Sequence, residues 1–203
     1  NSLDGSFTFD DNRNIVMRPE IRALWPPDWF HGNRWFGFFT LALNYRWGGF
    51  APFGYHVFTI TTHLAASLEL FGIVSRTLRL PRFGSQFKES ADWLAFATAA
   101  VWLVHPLNTQ AVTYVIQRLE SLMGLCFLFC LYCVLRFATG NKGRMAWGIG
   151  AAVTFFIGMG SKEVMAMAAF VIPIYWWIFL RNIGRADRNS HLEAQADQSS
   201  SQK

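Results

Sequence analysis

Long apolar runs, separated by shorter polar segments, dominate this sequence. A helix of about 20 apolar residues crosses the hydrocarbon core of a bilayer. Five runs approach that length, at about residues 53–75, 92–107, 120–138, 145–160 and 164–180. We therefore predict an all-α, polytopic transmembrane helix bundle with about five spans. Pro173 should kink the last span, because proline cannot donate a helical hydrogen bond.

The composition excludes an ordinary soluble domain. Of the 203 residues, 52% are hydrophobic and 15% are charged, whereas soluble domains have roughly 25% charged residues. The excess apolar surface must face lipid. The net charge of +5 could suit nucleic acid, but the lysines and arginines lie beside the apolar runs instead of forming one solvated face. We predict a multi-pass integral membrane protein that does not bind nucleic acid.

The basic residues next to the runs predict the orientation, since cytoplasmic loops are enriched in Lys and Arg. The segments after the first, third and fifth runs carry Arg76, Arg79, Arg82, Lys88, Arg136, Lys142, Arg144, Arg181, Arg185 and Arg188. These segments should be cytoplasmic. The N-terminal region, residues 105–120 and the turn at 160–163 should then be extracytoplasmic. We expect the chain to be a fragment, with one more span preceding residue 1.

The chain divides into three predicted regions. Residues 1–50 form an extracytoplasmic loop, in which prolines and scattered aromatic residues favour short interfacial helices, including one near Trp35–Phe50. Residues 51–181 form the transmembrane bundle. Residues 182–203 form a polar tail or linker with too few apolar residues to fold alone.

Ionisable residues collect on the predicted extracytoplasmic face, where they are costly unless they are paired or functional. They are Asp10, Asp11, Arg34, His105, Arg118, Glu120, Lys162 and Glu163. Adjacent carboxylates can supply a general base together with either a metal ligand or an orienting partner, and the cations could hold a lipid-linked phosphate. The alternative is that the acid pair lies in a solvated loop and that Arg118 and Lys162 snorkel or pair with Glu120 and Glu163.

Metal binding is the weaker interpretation of the histidines and cysteines, and we assign no residue as a metal ligand. The sequence leaves a divalent cation open as a cofactor. His56 and His63 share a helical face and could join His105 in a three-imidazole site, but histidines hydrogen-bonded between helices are more frequent. The three cysteines, Cys126, Cys130 and Cys133, share one face of an apolar run and are expected to be packing residues. A divalent cation at the acid pair would need further oxygen ligands.

The order of the motifs resembles a known family. FDDNRNI, then Arg34, LNYRWGGFAPFGYH, HPLNTQAVTYVIQRLESL and GMGSKE are similar to the transmembrane part of the transmembrane and tetratricopeptide-repeat-containing O-mannosyltransferases and their bacterial relatives. These proteins are GT-C glycosyltransferases. The chain departs from the family pattern at Trp35, Gln110 and Glu120, where the family has proline, glutamate and aspartate.

The resemblance implies a GT-C-like fold and transfer of a sugar from a polyprenyl-phosphate donor to a protein hydroxyl, with inversion at the anomeric carbon. Asp10 or Asp11 would be the catalytic base. The donor phosphate or sugar would contact Arg34, His105, Arg118, Glu120, Lys162 and Glu163. The active face would be extracytoplasmic, either periplasmic or lumenal.

Two other functions remain open from the sequence. A membrane transporter or channel would use intramembrane His and Glu, for which His63 and Glu69 are the candidates. An inactive membrane anchor or chaperone would keep the spans without the acid pair.

Overall fold

The computed structural model describes residues 5–7, 10–83, 85–140, 143–181 and 183, and this part of the chain is an all-α bundle. Its helices are α1 (Trp35–Gly48), α2 (Pro52–Leu78), α3 (Ala91–Leu103), α4 (Thr109–Thr113), α5 (Arg118–Thr139), α6 (Arg144–Met159) and α7 (Ala168–Tyr175). A 3-10 helix at Glu163–Met167 precedes α7, and a π-helical segment at Trp176–Leu180 follows it. We call the combined stretch Glu163–Leu180 the last helix.

Three helices are long and apolar enough to cross a membrane: α2, α5 and the last helix. The other two predicted spans are shorter apolar helices, Ala91–Leu103 with 13 residues and Arg144–Met159 with 16. At 1.5 Å per residue they measure about 20 and 24 Å, against a hydrocarbon core of about 30 Å. All five predicted spans are therefore helical. Only α3 is shorter than its predicted run at 92–107, since α6 has the length of the run at 145–160.

Proline explains the early end of α3. Pro106 disfavours helical backbone at the residue before it, and His105 is extended, with φ −64° and ψ 131°. In the last helix, Pro173 lies inside α7. The N–H of Trp176 is directed at the carbonyls of both Ile172 and Pro173, where the α-helical pattern changes to the π-helical one.

Helix α5 lies at the centre of the bundle, packing against α2 on one side and α6 on the other, while α2 also packs against α3. The three cysteines are buried free thiols on α5, as expected for packing residues. Gly158 of α6 makes close packing possible, because a Cβ there would lie 2.8 Å from the Met165 sulfur and 3.0 Å from Cys126 Cβ.

The two ends of the bundle differ in charge. Leu80, Leu135 and Leu180 form one buried cluster, so the C-terminal ends of α2, α5 and the last helix meet. We call this the basic end, because arginines flank all three helices there, as the sequence predicted. Lys142, Arg185, Arg188 and most of the tail at 182–203 lie outside the described residues.

The opposite end, where α1 and α5 begin and the turn at 160–163 lies, carries the candidate site, and we call it the site end. Short helical segments at Asn12–Val16, Pro19–Ile21 and Asp28–Phe30 precede α1, in the region where interfacial helices were predicted. They are not detached from the bundle: Ile15 and Ile21 are buried in one cluster with Leu41, Val115 and Leu119. Residues 10–50 thus cover the site end.

Candidate functional site

Arg118 is buried at the start of α5, with no exposed surface. Its Nη1 donates to the Thr40 carbonyl at 3.2 Å and to the Asn44 side-chain oxygen, and its Nη2 donates to the Tyr55 carbonyl at 2.9 Å. The guanidinium also lies over the Phe58 ring, 4.3 Å from its centroid. Arg118 therefore joins α5 to both α1 and α2.

The two adjacent aspartates occupy different environments. Asp11 is 1% exposed, and its carboxylate accepts hydrogen bonds from the backbone N–H of Ile116 at 2.7 Å and of Val115 at 3.4 Å. Asp11 thereby attaches the N-terminal segment to the loop before α5. Asp10 is exposed and lines a surface depression of about 460 Å³ that also includes Arg13 and Glu20.

Two ion pairs lie side by side at the turn after α6. Arg34, just before α1, donates from Nε and Nη2 to the two carboxylate oxygens of Glu163, at 3.3 and 3.2 Å. Lys162 pairs with Glu120 in the first turn of α5. The Arg34 and Glu163 side chains are 45% and 49% exposed. Because exposed pairs of this kind contribute only about 0–1 kcal/mol, these cations can exchange carboxylates for another anion at little cost.

Backbone contacts hold this turn against α1. The N–H of Phe36 donates to the Gly160 carbonyl at 2.8 Å. A Cβ at Gly160 would lie 2.4 Å from the Trp35 indole, so the turn requires glycine here. Trp35, which departs from the family pattern, therefore covers the glycine that precedes Ser161, Lys162 and Glu163.

A cavity of about 300 Å³ opens beside these ion pairs, between α2, the segment Trp102–Ala111 and α5. Its lining is largely apolar and includes Ala66, Trp102, Leu125 and Phe127, with Glu120 and Ser121 among the polar residues. Its volume is at the lower end of the range of small-molecule pockets, about 300–1,000 Å³. Since Glu120 both lines the cavity and pairs with Lys162, that ammonium lies one side chain away from an apolar cavity.

The histidines do not converge. His105 is exposed and its Nδ1 accepts from the N–H of Leu107 at 3.2 Å. His63 bonds the Leu103 carbonyl through Nε2 at 3.0 Å, and its ring lies 4.7 Å from that of Trp102. His56 bonds the Gly5 carbonyl at 3.1 Å. Within the described ranges, no group of three His, Cys, Asp or Glu side chains could hold a metal ion.

The predicted site residues thus fall into three sets. Arg34, Lys162, Glu120 and Glu163 form the two adjacent ion pairs, in which Lys162 is half-buried and the other three side chains are exposed. Asp11 and Arg118 are buried and bound by protein groups, and Asp10 and His105 are exposed outside the ion pairs.

Sequence reasoning missed Thr40 and Tyr55, whose backbone carbonyls accept from Arg118. The third acceptor, Asn44, belongs to the LNYRWGGFAPFGYH motif, but the motif did not indicate that it binds Arg118.

Comparison with known proteins adds three relatives. The chain is 31% identical over 180 residues to protein O-mannosyl-transferase TMTC4 of Mus musculus, covering 77% of this chain and 24% of that protein. It is 31% identical over 144 residues to TMTC1 of Homo sapiens, covering 63% and 15%. It is 24% identical over 188 residues to Tmtc2 of Drosophila melanogaster, covering 84% and 18%.

The chain therefore spans at most about a quarter of the length of these relatives, which are all named protein O-mannosyl-transferases. No protein-family model matches the chain, and no solved structure matches it.

Proposed function

We propose that this chain, a homologue of the protein O-mannosyl-transferases over 77% of its length, is the membrane-embedded catalytic part of a protein glycosyltransferase. It would move a sugar from a polyprenyl-phosphate donor to a hydroxyl of a polypeptide, with inversion, in a GT-C-type reaction. The observation that carries this proposal is the apolar cavity whose lining residue Glu120 pairs with Lys162. A lipid-linked phosphate needs this combination of an apolar cavity and an adjacent cation.

The donor would bind with its isoprenoid chain in the cavity and its phosphate at the ion pairs. Phosphate forms strong charge-assisted hydrogen bonds with Arg and Lys. In this proposal the phosphate replaces Glu120 on Lys162 and Glu163 on Arg34, and the two cations stabilise the charge of the departing lipid phosphate. His105 would act near the sugar, because the groove that it lines shares Trp102 and Asn108 with the cavity.

Asp10 is the better candidate for the general base. A base must reach the acceptor hydroxyl, remove its proton and leave the oxygen free to attack the anomeric carbon opposite the phosphate. Asp10 is exposed, whereas both carboxylate oxygens of Asp11 accept backbone N–H groups. Asp11 would then be a positioning residue. Because both of its carboxylate oxygens already accept backbone hydrogen bonds, it would be poorly suited to bind a divalent cation.

Arg118 would also act as a positioning residue and would not contact phosphate. Both of its terminal nitrogens donate to protein acceptors on α1 and α2, and its Nε is buried. It would set the start of α5, where Glu120 lies two residues later. This role differs from the donor contact that the sequence resemblance implied.

The proposed arrangement in the membrane follows the sequence prediction. The protein would be multi-pass, with the site end extracytoplasmic, in the periplasm or a lumen, and the basic end cytoplasmic. Residues 1–50 would cover the site, residues 51–181 would form the bundle, and residues 182–203 would be a linker or tail.

The donor-site assignment is tested with Lys162→Gln in the full-length protein. Transfer from polyprenyl-phosphate mannose to a Ser/Thr peptide should show a raised donor KM, because Lys162 would hold the phosphate in the ground state. Arg46→Gln is a matched control, since Arg46 is exposed in the last turn of α1. An unchanged donor KM in Lys162→Gln would contradict the assignment.

The base assignment is tested with Asp10→Asn. We expect kcat to fall by about 10²–10⁴ while the donor KM stays near wild type, since a general base acts mainly in the transition state. Wild-type transfer by Asp10→Asn would refute the assignment of Asp10.

The transporter alternative is supported by one observation, the environment of Glu69. The Glu69 Oε2 atom is buried and has no hydrogen-bond partner in the described part of the chain. His63, by contrast, is hydrogen-bonded to the Leu103 carbonyl and packs against the Trp102 ring. A transporter using Glu69 would lose solute or proton flux in Glu69→Gln, whereas a glycosyltransferase would retain transfer in that variant.

A further inference from the structure

A second depression, far from the ion pairs, lies near the basic end of the bundle. It is bounded by α5, α6 and the last helix, and its volume is about 730 Å³. Its apolar lining includes Phe137, Gly148, Ala151, Ile172, Trp176 and Trp177. We call it the basic-end groove. The proposed transfer reaction makes no use of it.

Two arginines stand over aromatic residues of this groove. The Arg144 guanidinium lies 5.0 Å from the centroid of the Phe137 ring, and its Nε donates to the Phe137 carbonyl at 3.0 Å. The Arg181 guanidinium lies 4.9 Å from the centroid of the Trp177 ring. Both arginines are exposed. The groove therefore has an apolar floor and cations over the residues nearest the end of the bundle.

Neither cation is neutralised by the part of the chain that the structure describes. The ion pairs found there involve Arg18, Arg34, Arg79 and Lys162. Nearby Arg79 shows the contrast, because its guanidinium is bound by both oxygens of Asp92, at 2.8 and 2.6 Å. Arg144 and Arg181 keep most of their N–H donors available for an external anion.

We propose that the basic-end groove binds one anionic phospholipid from the adjacent leaflet. An acyl chain lies along the apolar floor, and the headgroup phosphate is held by Arg144 and Arg181. Arginine suits this role, because its planar guanidinium binds phosphate through several donors and stacks on aromatic rings. A net negative headgroup is favoured over a zwitterionic one, since two cations face it near the membrane surface.

The test is lipid retention by the full-length protein, measured by native mass spectrometry after addition of phosphatidylglycerol or phosphatidylcholine. The wild type should retain one phosphatidylglycerol in preference to phosphatidylcholine. Arg144→Gln and Arg181→Gln should each weaken phosphatidylglycerol binding by roughly fivefold. Arg46→Gln makes the same charge change in the last turn of α1, which does not line the groove, and should have no effect. Equal loss in Arg46→Gln, or equal retention of both lipids by the wild type, would overturn the proposal.

A groove-filling variant tests the chain-binding part. A Cβ at Gly148 would lie 3.4 Å from the Phe137 ring, an ordinary contact, so Gly148→Leu should fold and occupy the groove. We expect it to lose the retained lipid while both arginines remain. Retention of the lipid would place it elsewhere and overturn the groove assignment.

The same spectra report other occupants. If a second copy of the chain covers the groove, Gly148→Leu will reduce the fraction of dimer and leave phosphatidylglycerol retention unchanged. That result also overturns the proposal. Thermal unfolding of each variant shows whether it is folded. Because Arg144 and Arg181 are exposed, the arginine variants remain informative even if Gly148→Leu unfolds.

Discussion

Removing the Arg118 guanidinium should destabilise the whole site end of the bundle. In Arg118→Leu, the carbonyls of Thr40 and Tyr55 and the side-chain oxygen of Asn44 lose their donor in a place that has no exposure to solvent. Leucine fills part of the space but donates no hydrogen bond. The variant therefore removes the bridge between acceptors of two helices, although the Tyr55 carbonyl keeps its hydrogen bond from the Thr59 hydroxyl at 2.9 Å.

The expected cost follows from these contacts. Hydrogen bonds to a charged group contribute about 1.5–3 kcal/mol each, and Arg118 makes three of them. Part of this loss is offset, because the variant has no buried charge that must be desolvated. We expect the free energy of unfolding to fall by about 3–5 kcal/mol. For a chain of this size, about 2–4 °C in Tm corresponds to each kcal/mol, so Tm should fall by roughly 6–20 °C.

The assay is thermal unfolding in detergent, followed by tryptophan fluorescence and by the recovery of monodisperse protein after heating. Arg118→Lys should give an intermediate loss, because lysine keeps the charge but cannot reproduce the forked donors. Arg46→Gln, an exposed arginine, should stay within about 0.5 kcal/mol of wild type. A Tm for Arg118→Leu within about 2 °C of wild type would refute the argument.

Three further predictions test other contacts. Gly160→Ala should lower the free energy of unfolding by about 1–3 kcal/mol, seen as a lower Tm, because the new Cβ would lie 2.4 Å from the Trp35 indole; an unchanged Tm would mean that the indole moves freely. Asp11→Asn should release the N-terminal segment and speed limited trypsin cleavage there, since the charged acceptor of two backbone N–H groups is lost; wild-type cleavage rates would argue against the attachment. Single cysteines at Asn12 and Ser85 should label with impermeant maleimide from opposite sides of the membrane, and labelling from one side would contradict the proposed topology.

Helix positions could be predicted from the sequence because the information is local. A run of apolar residues is a property of neighbouring positions, and each of the five predicted runs is helical in the structure. The expectation that the arginines after α2, α5 and the last helix share one end also follows from alternating helix direction. Even the early end of α3 has a local cause in Pro106. Whether the two shorter apolar helices, α3 and α6, also cross the membrane stays a prediction, because their length and composition do not decide it.

The roles within the candidate site depend on contacts between distant residues. Arg34 meets Glu163 across 129 positions, Asp11 meets Ile116 across 105, and Lys162 meets Glu120 across 42. The sequence proposed Glu120 as one alternative partner for Lys162, but it contained no sign that Arg34 would bind Glu163.

Asp10 and Asp11 are the same residue type at adjacent positions, but only Asp11 is buried in the fold. Arg118 was expected to contact a phosphate, but it binds acceptors on α1 and α2. Burial of a side chain is decided by how helices far apart in the chain pack together. The apolar pattern therefore determined which segments are helices, while the tertiary packing decided which charged groups became buried supports and which remained open to a ligand.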